Sequence, residues 1–156
     1  MPLISCRIVE VCCFKFVKER AEYLLLKRAH DEKIYPNLWQ FVSGAIGDGE
    51  RAVDAALREF KEETGITPLR FWVVPFVNAF YDHDYDAVNL SPFFAAQVSV
   101  ADEPKLSSEH QIYEWLPYHE ARKRLVWPGQ RQGLDVVQSC ILGGEEAGHL
   151  TLIPVK

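Results

Sequence analysis

The sequence predicts an α/β fold, in which a mixed β-sheet is sandwiched between helices on its two faces (α/β/α). The predicted elements run from strands to a helix, and then to strands and helices again, which is the order such a fold requires. A segment that begins and ends with glycine, residues 44–66, separates the two groups of strands as a loop and a helix. The 156 residues are 48% hydrophobic, without repeats or a linker, so residues 1–156 are predicted to form one domain with a substantial core.

The individual strands are predicted from runs of β-branched and aromatic residues bounded by turn formers. They cover residues 4–17, 23–27, 38–42, 70–80, 92–100, 112–116 and, at the chain end, 150–155. The strand at 70–80 is interrupted near Pro75, because proline cannot donate to a ladder. Turns and loops are predicted at residues 18–22, 31–37, 81–86 and 102–109. Beyond the central helix, residues 119–125 and 129–142 are predicted helical, the second ending at Gly143 and Gly144.

Composition excludes several classes of protein. The net charge of −5 argues against a nucleic-acid polymer as partner. No apolar run reaches the roughly 18–20 residues of a membrane span, and the N-terminus does not read as a signal peptide. The four cysteines lack metal-site spacing and are expected to be buried free thiols, which favours a cytoplasmic location: Cys6, Cys12, Cys13 and Cys140.

The central helix carries three carboxylates on one side. Glu59, Glu62 and Glu63 stand at i, i+3 and i+4, and Arg58 is four residues from Glu62. Such a cluster can simply face water, which is the commoner case for charged helices. Here an apolar stripe adjoins it and glycines bound the segment, so a site for a hard divalent cation with oxygen ligands is the favoured interpretation. The stripe consists of Val53, Leu57 and Phe60.

The same segment resembles the Nudix box, G-x5-E-x7-R-E-U-x-E-E-x-G-U, in which U is a bulky aliphatic residue. The matching residues fall in register without insertion: Gly44, Glu50, Arg58, Glu59, Glu62, Glu63, Gly65 and Ile66. Only Phe60 departs, being large and apolar but not aliphatic. The resemblance implies a Nudix (MutT-like) hydrolase with the Nudix fold over most of residues 4–142, using Mg²⁺ or Mn²⁺.

The resemblance also implies roles for individual residues. Glu59, Glu62 and Glu63 are the expected metal ligands, joined by the backbone carbonyl of Ser43, where the family more often has glycine. Arg58 is expected to orient the glutamates, so that it counts with Glu62 among the catalytic residues.

Two further glutamates and a histidine have two alternative roles each in the resemblance. Glu50 is expected to begin the helix, either as a structural cap or with a water-mediated metal role, and Gly44 and Gly65 are structural. Glu109, about 50 residues beyond the helix, matches the distal glutamate that the family uses as a metal ligand or as the base that activates water. His110 is either a proton shuttle or a packed histidine.

Substrate contacts are predicted outside the box. Lys27 and Arg28 end a strand where the family often places a cation facing phosphates, and Arg28 is preferred for its bidentate fork. Aromatic side chains are candidates for stacking on a ring, with a core position as the commoner alternative: Trp39, Tyr81, Phe93 and Trp127. The acidic turn at 81–86 is expected to be solvated.

Two further segments point to a branch of the family. Residues 39–44 resemble the W-Q-x-V-[ST]-G segment of dihydroneopterin triphosphate (dATP) pyrophosphohydrolases, and residues 109–116 resemble their E-H-x-x-Y-x-W-L element. Asymmetric diadenosine tetraphosphate hydrolases share the second element. The expected substrate is therefore a small phosphoanhydride, first a nucleoside or pterin triphosphate, cleaved to monophosphate and pyrophosphate, and alternatively a diadenosine polyphosphate.

Two other classes are less favoured. A non-catalytic Nudix-fold nucleotide sensor would tend to lose box carboxylates, and this chain keeps all of them. An isoprenoid diphosphate isomerase would need a catalytic cysteine, and nothing places Cys12 or Cys13 at the site. The oligomeric state stays open between monomer and homodimer.

Overall fold

A computed structural model describes residues 1–154 of the chain, and within them nine strands form one mixed sheet with helices on both faces. The predicted α/β/α class is thereby confirmed. The strands are β1 (Leu3–Ser5), β2 (Ile8–Val17), β3 (Arg20–Arg28), β4 (Trp39–Gln40), β5 (Val42–Ala45), β6 (Arg70–Asp82), β7 (Ala87–Gln97), β8 (His110–Leu116) and β9 (Leu152–Ile153). The helices are α1 (Ala52–Thr64), α2 (Tyr118–Arg124), α3 (Pro128–Val136) and α4 (Glu146–Leu150). In the described part of the chain, no helix combines the length and apolarity needed to span a membrane.

The centre of the sheet is β2, which pairs in parallel with β7 along one edge. Two strands, β3 and β5, share the other edge of β2. The C-terminal half of β2 pairs with β3, from Phe14 opposite Tyr23 onward, whereas its N-terminal half pairs with β5. Strands β2 and β3 therefore splay apart, and residues 39–45 bridge the gap, with β4 on β3 and β5 on β2. This gap positions the candidate site described below.

Two apolar clusters fill the space between the sheet and its helices. Because neighbouring residues of a strand face opposite ways, Val9 and Val11 of β2 pack in the cluster under α1, and Cys12 and Phe14 pack in the cluster under α2 and α3. Gly133 brings α3 close to the sheet, since a Cβ there would lie 2.6 Å from Phe93 Cζ.

The predicted strand at 4–17 is in fact two strands. Both β1 and β2 run parallel to β7, but the five-residue step from Ser5 to Glu10 faces only the four-residue step from Asn89 to Phe93. The extra residue interrupts the ladder with β7 at the point between β1 and β2. Pro92 of β7 lies within that break, and the strand continues through it. For this reason β7 starts at Ala87 rather than at the predicted residue 92.

Other predictions differ in detail. The interruption of β6 is confirmed as a register shift between Val73 and Val77. The predicted helix at 129–142 continues from α3 as π-helix over Val137–Leu142, and the unpredicted α4 follows it. The tail strand is limited to Leu152–Ile153, and Val155 lies outside the described residues. Cys6 is exposed, against expectation, because it lies in the break after β1, while the other three free cysteines are buried.

Candidate metal centre and active site

The loop and helix of residues 44–66 fold as one unit. Gly44 ends up so close to α1 that a Cβ on it would overlap the carboxylate of Glu59. At the other end Gly65 caps α1 in the left-handed conformation, with φ of 73°, and its N–H donates to the Lys61 carbonyl. Both glycines are therefore required by the backbone path that holds the carboxylates.

Arg58 ties the loop to the helix. Its Nε and Nη2 donate to the two oxygens of Glu50 at 2.8 and 2.9 Å, and Nη2 also donates to the Ala45 carbonyl at 2.9 Å. Its Nη1 donates to Glu59 Oε1 at 2.8 Å and, more weakly, to Glu62 Oε2 at 3.3 Å. One guanidinium thus fixes the carboxylates of Glu50 and Glu59, which is a strong charge-assisted arrangement.

Glu50 does not begin the helix as expected. The N-cap of α1 is Arg51, whose side chain makes no capping hydrogen bond. Instead, Glu50 Oε2 accepts from the Gly47 N–H at 2.8 Å and closes the loop. The Arg58 guanidinium and the Gly47 N–H lower the pKa of Glu50 to about 2.

Glu63 is the most enclosed of the helix carboxylates, with 4% of the residue exposed. Its Oε2 accepts from Ser107 Oγ at 2.8 Å and from His110 Nδ1 at 2.9 Å. His110 is itself buried, and its Nε2 lies 3.0 Å from the side-chain amide nitrogen of Gln40. Burial raises the pKa of Glu63, but the hydrogen bonds from His110 and Ser107 outweigh it, so the pKa is lowered.

The chain brings Glu109 next to this pair. Ligand atoms of Glu63, Glu109 and His110 all lie within 4.8 Å of one another, although the residues come from α1 and from the start of β8. Burial, followed by the negative charge of Glu63, raises the pKa of Glu109. Two carboxylates at this distance repel each other, and a cation between them would relieve that repulsion.

The structure does not gather all predicted ligands into one cluster. Glu59 lies against Gly44, and burial raises its pKa. Glu62 has 56% of its side chain exposed, and its contact with Arg58 is long, at 3.3 Å. Ser43 lies in β5 directly before Gly44, and Gly44 is the residue that lies against Glu59. The Ser43 carbonyl is therefore part of the strand segment next to Glu59. The oxygen-rich donor set of this region nevertheless fits a hard divalent cation: Glu59, Glu62, Glu63, Glu109 and the Ser43 carbonyl.

The two strand-end basic residues differ in position. By alternation along β3, Lys27 shares the face of Leu25, opposite α1, and its Nζ lies 6.0 Å from the Trp39 ring centre. Arg28 donates to the Ile34 carbonyl at 3.0 Å and to Glu32 at 3.2 Å, and it borders an open depression together with Ser108. In the register of β3 and β8, Arg28 lies opposite His110, the residue after Glu109.

The aromatic candidates also separate. Phe93 is buried in the core, and Tyr81 donates to Asp86 beside the distant 83–86 turn, whose acidic side chains are exposed. Trp39 is half-buried between Lys27 and Arg124, whose guanidinium carbon lies 5.0 Å from the ring centre. Trp127, with 41% of its surface exposed, forms an edge-to-face pair with Tyr35 at 5.0 Å.

Sequence reasoning missed Ser107 and Gln40, which hold Glu63 and His110. Ser107 lies in a polar loop, and no feature of the neighbouring sequence distinguishes it from other loop serines. Its contact with Glu63 is visible only in the fold. Gln40 was visible within the 39–44 segment, but its contact with His110 spans 70 residues of sequence.

The sequence is similar to a known domain and to known proteins. A profile of the NUDIX domain matches residues 7–136. An octanoyltransferase of Myxococcus xanthus is 29% identical over 133 residues, which are 81% of this chain but only 35% of that protein, so the chain spans about a third of its length. The nucleoside triphosphatase NudI of Escherichia coli is 29% identical over 107 residues, 64% of this chain and 76% of that protein.

Solved structures share the fold. A Caenorhabditis elegans Ap4A hydrolase superposes with a TM-score of 0.73 at 22% identity, covering 87% of this chain and 97% of that one. The dihydroneopterin triphosphate pyrophosphohydrolase of Escherichia coli gives a TM-score of 0.63 at 24% identity, covering 81% and 92%.

Proposed function

The chain belongs to the family of Nudix hydrolases, and on that premise we propose that it cleaves a diphosphate linkage in a nucleoside or pterin triphosphate, releasing monophosphate and pyrophosphate. The observation that carries the proposal is the cluster of Glu63, Glu109 and His110 beside the carboxylates held by Arg58. A site with so many fixed carboxylates suits a reaction in which a divalent cation neutralises phosphate charge.

The residues that would hold Mg²⁺ or Mn²⁺ are Glu59, Glu62, Glu63 and Glu109, with the carbonyl of Ser43. The bound ion would supply charge neutralisation, orientation of the phosphates and a lowered pKa of water. Glu62 and Glu109 are the exposed members of this set, so both are available to a ligand without any rearrangement of the core.

The chain's own residues would position and deprotonate the nucleophile. Arg58 keeps Glu50 and Glu59 in place, and His110, itself held by Gln40, keeps Glu63 in place. Glu109 has a raised pKa and is the carboxylate proposed to take the proton of the attacking water. Water oxygen bonds to phosphorus, the phosphoanhydride bond breaks, and pyrophosphate leaves. Arg28 is proposed to contact the phosphates.

The proposal is tested by a substrate screen with Mg²⁺. Dihydroneopterin triphosphate and the deoxynucleoside triphosphates are assayed for pyrophosphate with a coupled pyrophosphatase, and the nucleotide product is identified by chromatography. Mg²⁺-dependent formation of monophosphate and pyrophosphate is expected. Metal-dependent binding of one compound without turnover would instead support a nucleotide sensor.

A diadenosine polyphosphate is the second candidate, because the element that resembles those hydrolases, residues 109–116, carries Glu109 and His110 to Glu63. The same screen separates the two candidates, since diadenosine tetraphosphate would yield ATP and AMP and no pyrophosphate. An isomerase is disfavoured: Cys12 and Cys13 are both buried in the apolar clusters, so neither thiol reaches the site.

A further inference from the structure

A second buried carboxylate lies on the opposite face of the sheet from α1. Glu10 of β2 is 5% exposed and shares its face with Cys12 and Phe14. Its Oε1 accepts from the side-chain amide of Gln130 at 3.0 Å, and its Oε2 accepts from that of Asn78 at 3.1 Å. These three side chains, Glu10, Asn78 and Gln130, are called here the amide–carboxylate cluster.

The amide–carboxylate cluster has more acceptors than donors. Within residues 1–154 Glu10 forms no ion pair with a lysine, arginine or histidine. Gln130 is also 5% exposed, and its Oε1 is buried without a hydrogen-bond partner among the residues that the structure describes. Rotating this amide by half a turn would place Oε1 against the Glu10 carboxylate, and two acceptors repel each other. The N–H group that donates to Glu10 therefore fixes the orientation of the Gln130 side chain.

An unpartnered buried acceptor is costly, and a carboxylate oxygen can accept more than one hydrogen bond. Gln130 and Asn78 each donate to one oxygen of Glu10, while the hydroxyl of the neighbouring Ser91 donates to the Ile8 carbonyl. A ligand that brings N–H donors would therefore complete the hydrogen bonding of the amide–carboxylate cluster. A ligand that brings acceptors would add repulsion.

The cluster lies one strand from the candidate metal centre. Glu10 is the cross-strand partner of Ser43 in β5, and Ser43 directly precedes Gly44, which touches Glu59. Gln130 is in the first turn of α3, and its backbone N–H donates to the carbonyl of Trp127 at 3.1 Å. The exposed Trp127–Tyr35 pair is thus attached to the cluster through the start of α3.

We infer that Glu10, Asn78 and Gln130 are specificity-determining residues that bind the ring of the substrate through the 2-amino-4-oxopyrimidine edge shared by guanine and pterins. This inference rests on the proposed hydrolysis of a nucleoside or pterin triphosphate. That edge presents a ring N–H beside an exocyclic amine, two parallel donors that match a carboxylate. Adenine instead places an acceptor nitrogen beside its amine, which would face the Glu10 carboxylate. Trp127 and Tyr35 supply aromatic surface for the same ring.

The inference is tested by the binding of nucleoside monophosphates. Their affinity reports recognition of the ring, because they lack the diphosphate linkage that would be cleaved. Titration calorimetry in Mg²⁺ compares dGMP with dIMP, which lacks only the 2-amino group, and with dAMP. Wild-type protein is expected to bind dGMP at least about tenfold more tightly than either, the discrimination typical of a site built to pair with polar groups. Dihydroneopterin monophosphate, measured in parallel, distinguishes a pterin from a guanine as the preferred source of this edge.

Glu10→Gln keeps the volume of the side chain and should reduce the dGMP-to-dIMP ratio to within about twofold of unity, since it removes the paired acceptor. Glu120→Gln, the same change on the outer surface of α2, should retain the wild-type ratio. The unfolding temperature of both variants verifies folding. Binding of dAMP or dIMP as tight as dGMP, a ratio unchanged in Glu10→Gln, or no binding of any monophosphate would each overturn the inference.

Failure of the inference is distinguishable from failure of the proposed function. Hydrolysis of triphosphates without preference for the guanine or pterin ring would leave the reaction standing and remove the role of the cluster. Selective binding of dGMP by a protein that hydrolyses no triphosphate would leave the cluster standing and remove the reaction.

Discussion

Glu63 and Glu10 are almost equally buried, at 4% and 5% exposed, on opposite faces of the same sheet, but their partners differ. Glu63 accepts hydrogen bonds from His110 and Ser107, whereas Glu10 accepts hydrogen bonds from the side-chain amides of Asn78 and Gln130. Burial is the largest single influence on the pKa of both carboxyl groups, and it raises the pKa in each case. At Glu63 the hydrogen bonds outweigh burial, so the pKa is lowered, whereas at Glu10 burial outweighs the hydrogen bonds, so the pKa is raised.

The comparison shows what a buried carboxylate needs in order to serve as a ligand. Glu63 is held ionised by its own neighbours, and the remaining negative charge is shared with the adjacent Glu109, which suits a cation. Glu10 has neutral donors alone, so the arrangement favours a ligand that donates hydrogen bonds. One face of the sheet would then serve the metal and the phosphates, and the other face would serve the ring.

The largest effect is expected for Glu63→Gln. Loss of its charge should lower kcat/KM for dGTP and for dITP by the same factor, on the order of 1,000-fold, or about 4 kcal/mol of transition-state stabilisation. Steady-state kinetics with both substrates, together with Mn²⁺ binding by electron paramagnetic resonance, measures this loss. Glu10→Gln should act differently and lower kcat/KM for dGTP more than for dITP. Equal losses of both substrates in both variants would contradict the division between the two faces.

Glu62→Gln should separate activity from stability. Because the Glu62 side chain is 56% exposed and its contact with Arg58 is long, removing its charge should change the free energy of unfolding by less than about 0.5 kcal/mol. Mg²⁺-dependent turnover should nevertheless fall about 100-fold. Asp54→Asn, at an exposed acid in the first turn of the same helix, is the matched control and should keep its turnover. Full Mg²⁺-dependent turnover in Glu62→Gln would exclude Glu62 as a metal ligand.

Local patterns predicted the α1 side of the molecule well. The spacing of Arg58 and Glu62 and the terminal Gly65 are properties of a single helix, so they could be predicted from neighbouring residues. The contact of His110 with Glu63 spans 47 residues and depends on the splay of β2 from β3, which no local pattern encodes. Only the resemblance indicated that Glu109 belongs near the helix.

The opposite face could not be predicted in the same way. Glu10 lies in a largely apolar strand, where a charged residue is expected to occupy an exposed position. Its partners Asn78 and Gln130 are 68 and 120 residues away, and each is an ordinary polar residue in its own element. The role of Trp127 was predicted only as one of several aromatic candidates, because exposure is decided by the position of α3 on the sheet.

A smaller effect is expected at Gly44, the neighbour of Ser43 in β5. Gly44→Ala should destabilise the protein by about 1–3 kcal/mol, because the added Cβ overlaps the Glu59 carboxylate. Denaturant unfolding measures this cost. If the overlap is its cause, shortening the opposing side chain should relieve it, so the double variant Gly44→Ala with Glu59→Ala should lose less stability than the sum of the single variants. Additive losses would show that the cost arises in the backbone and not at Glu59.

The smallest effect concerns Glu50, whose pKa of about 2 lies below the unfolded value of roughly 4.3. A lowered pKa means that the folded state binds the proton less readily, so the carboxylate stabilises the fold above about pH 4.3 and loses that contribution as the pH falls toward 2. Glu50→Gln removes the titrating group. The stability difference between wild type and Glu50→Gln should therefore be constant near neutral pH and shrink between about pH 4.5 and 2, as measured by urea unfolding across that range. The pair with Arg58 is close to solvent, so 1 M salt should reduce the difference as well. A difference that stays constant down to pH 2 would mean that Glu50 acts on the loop through its shape and its hydrogen bond to Gly47, without any contribution from its charge.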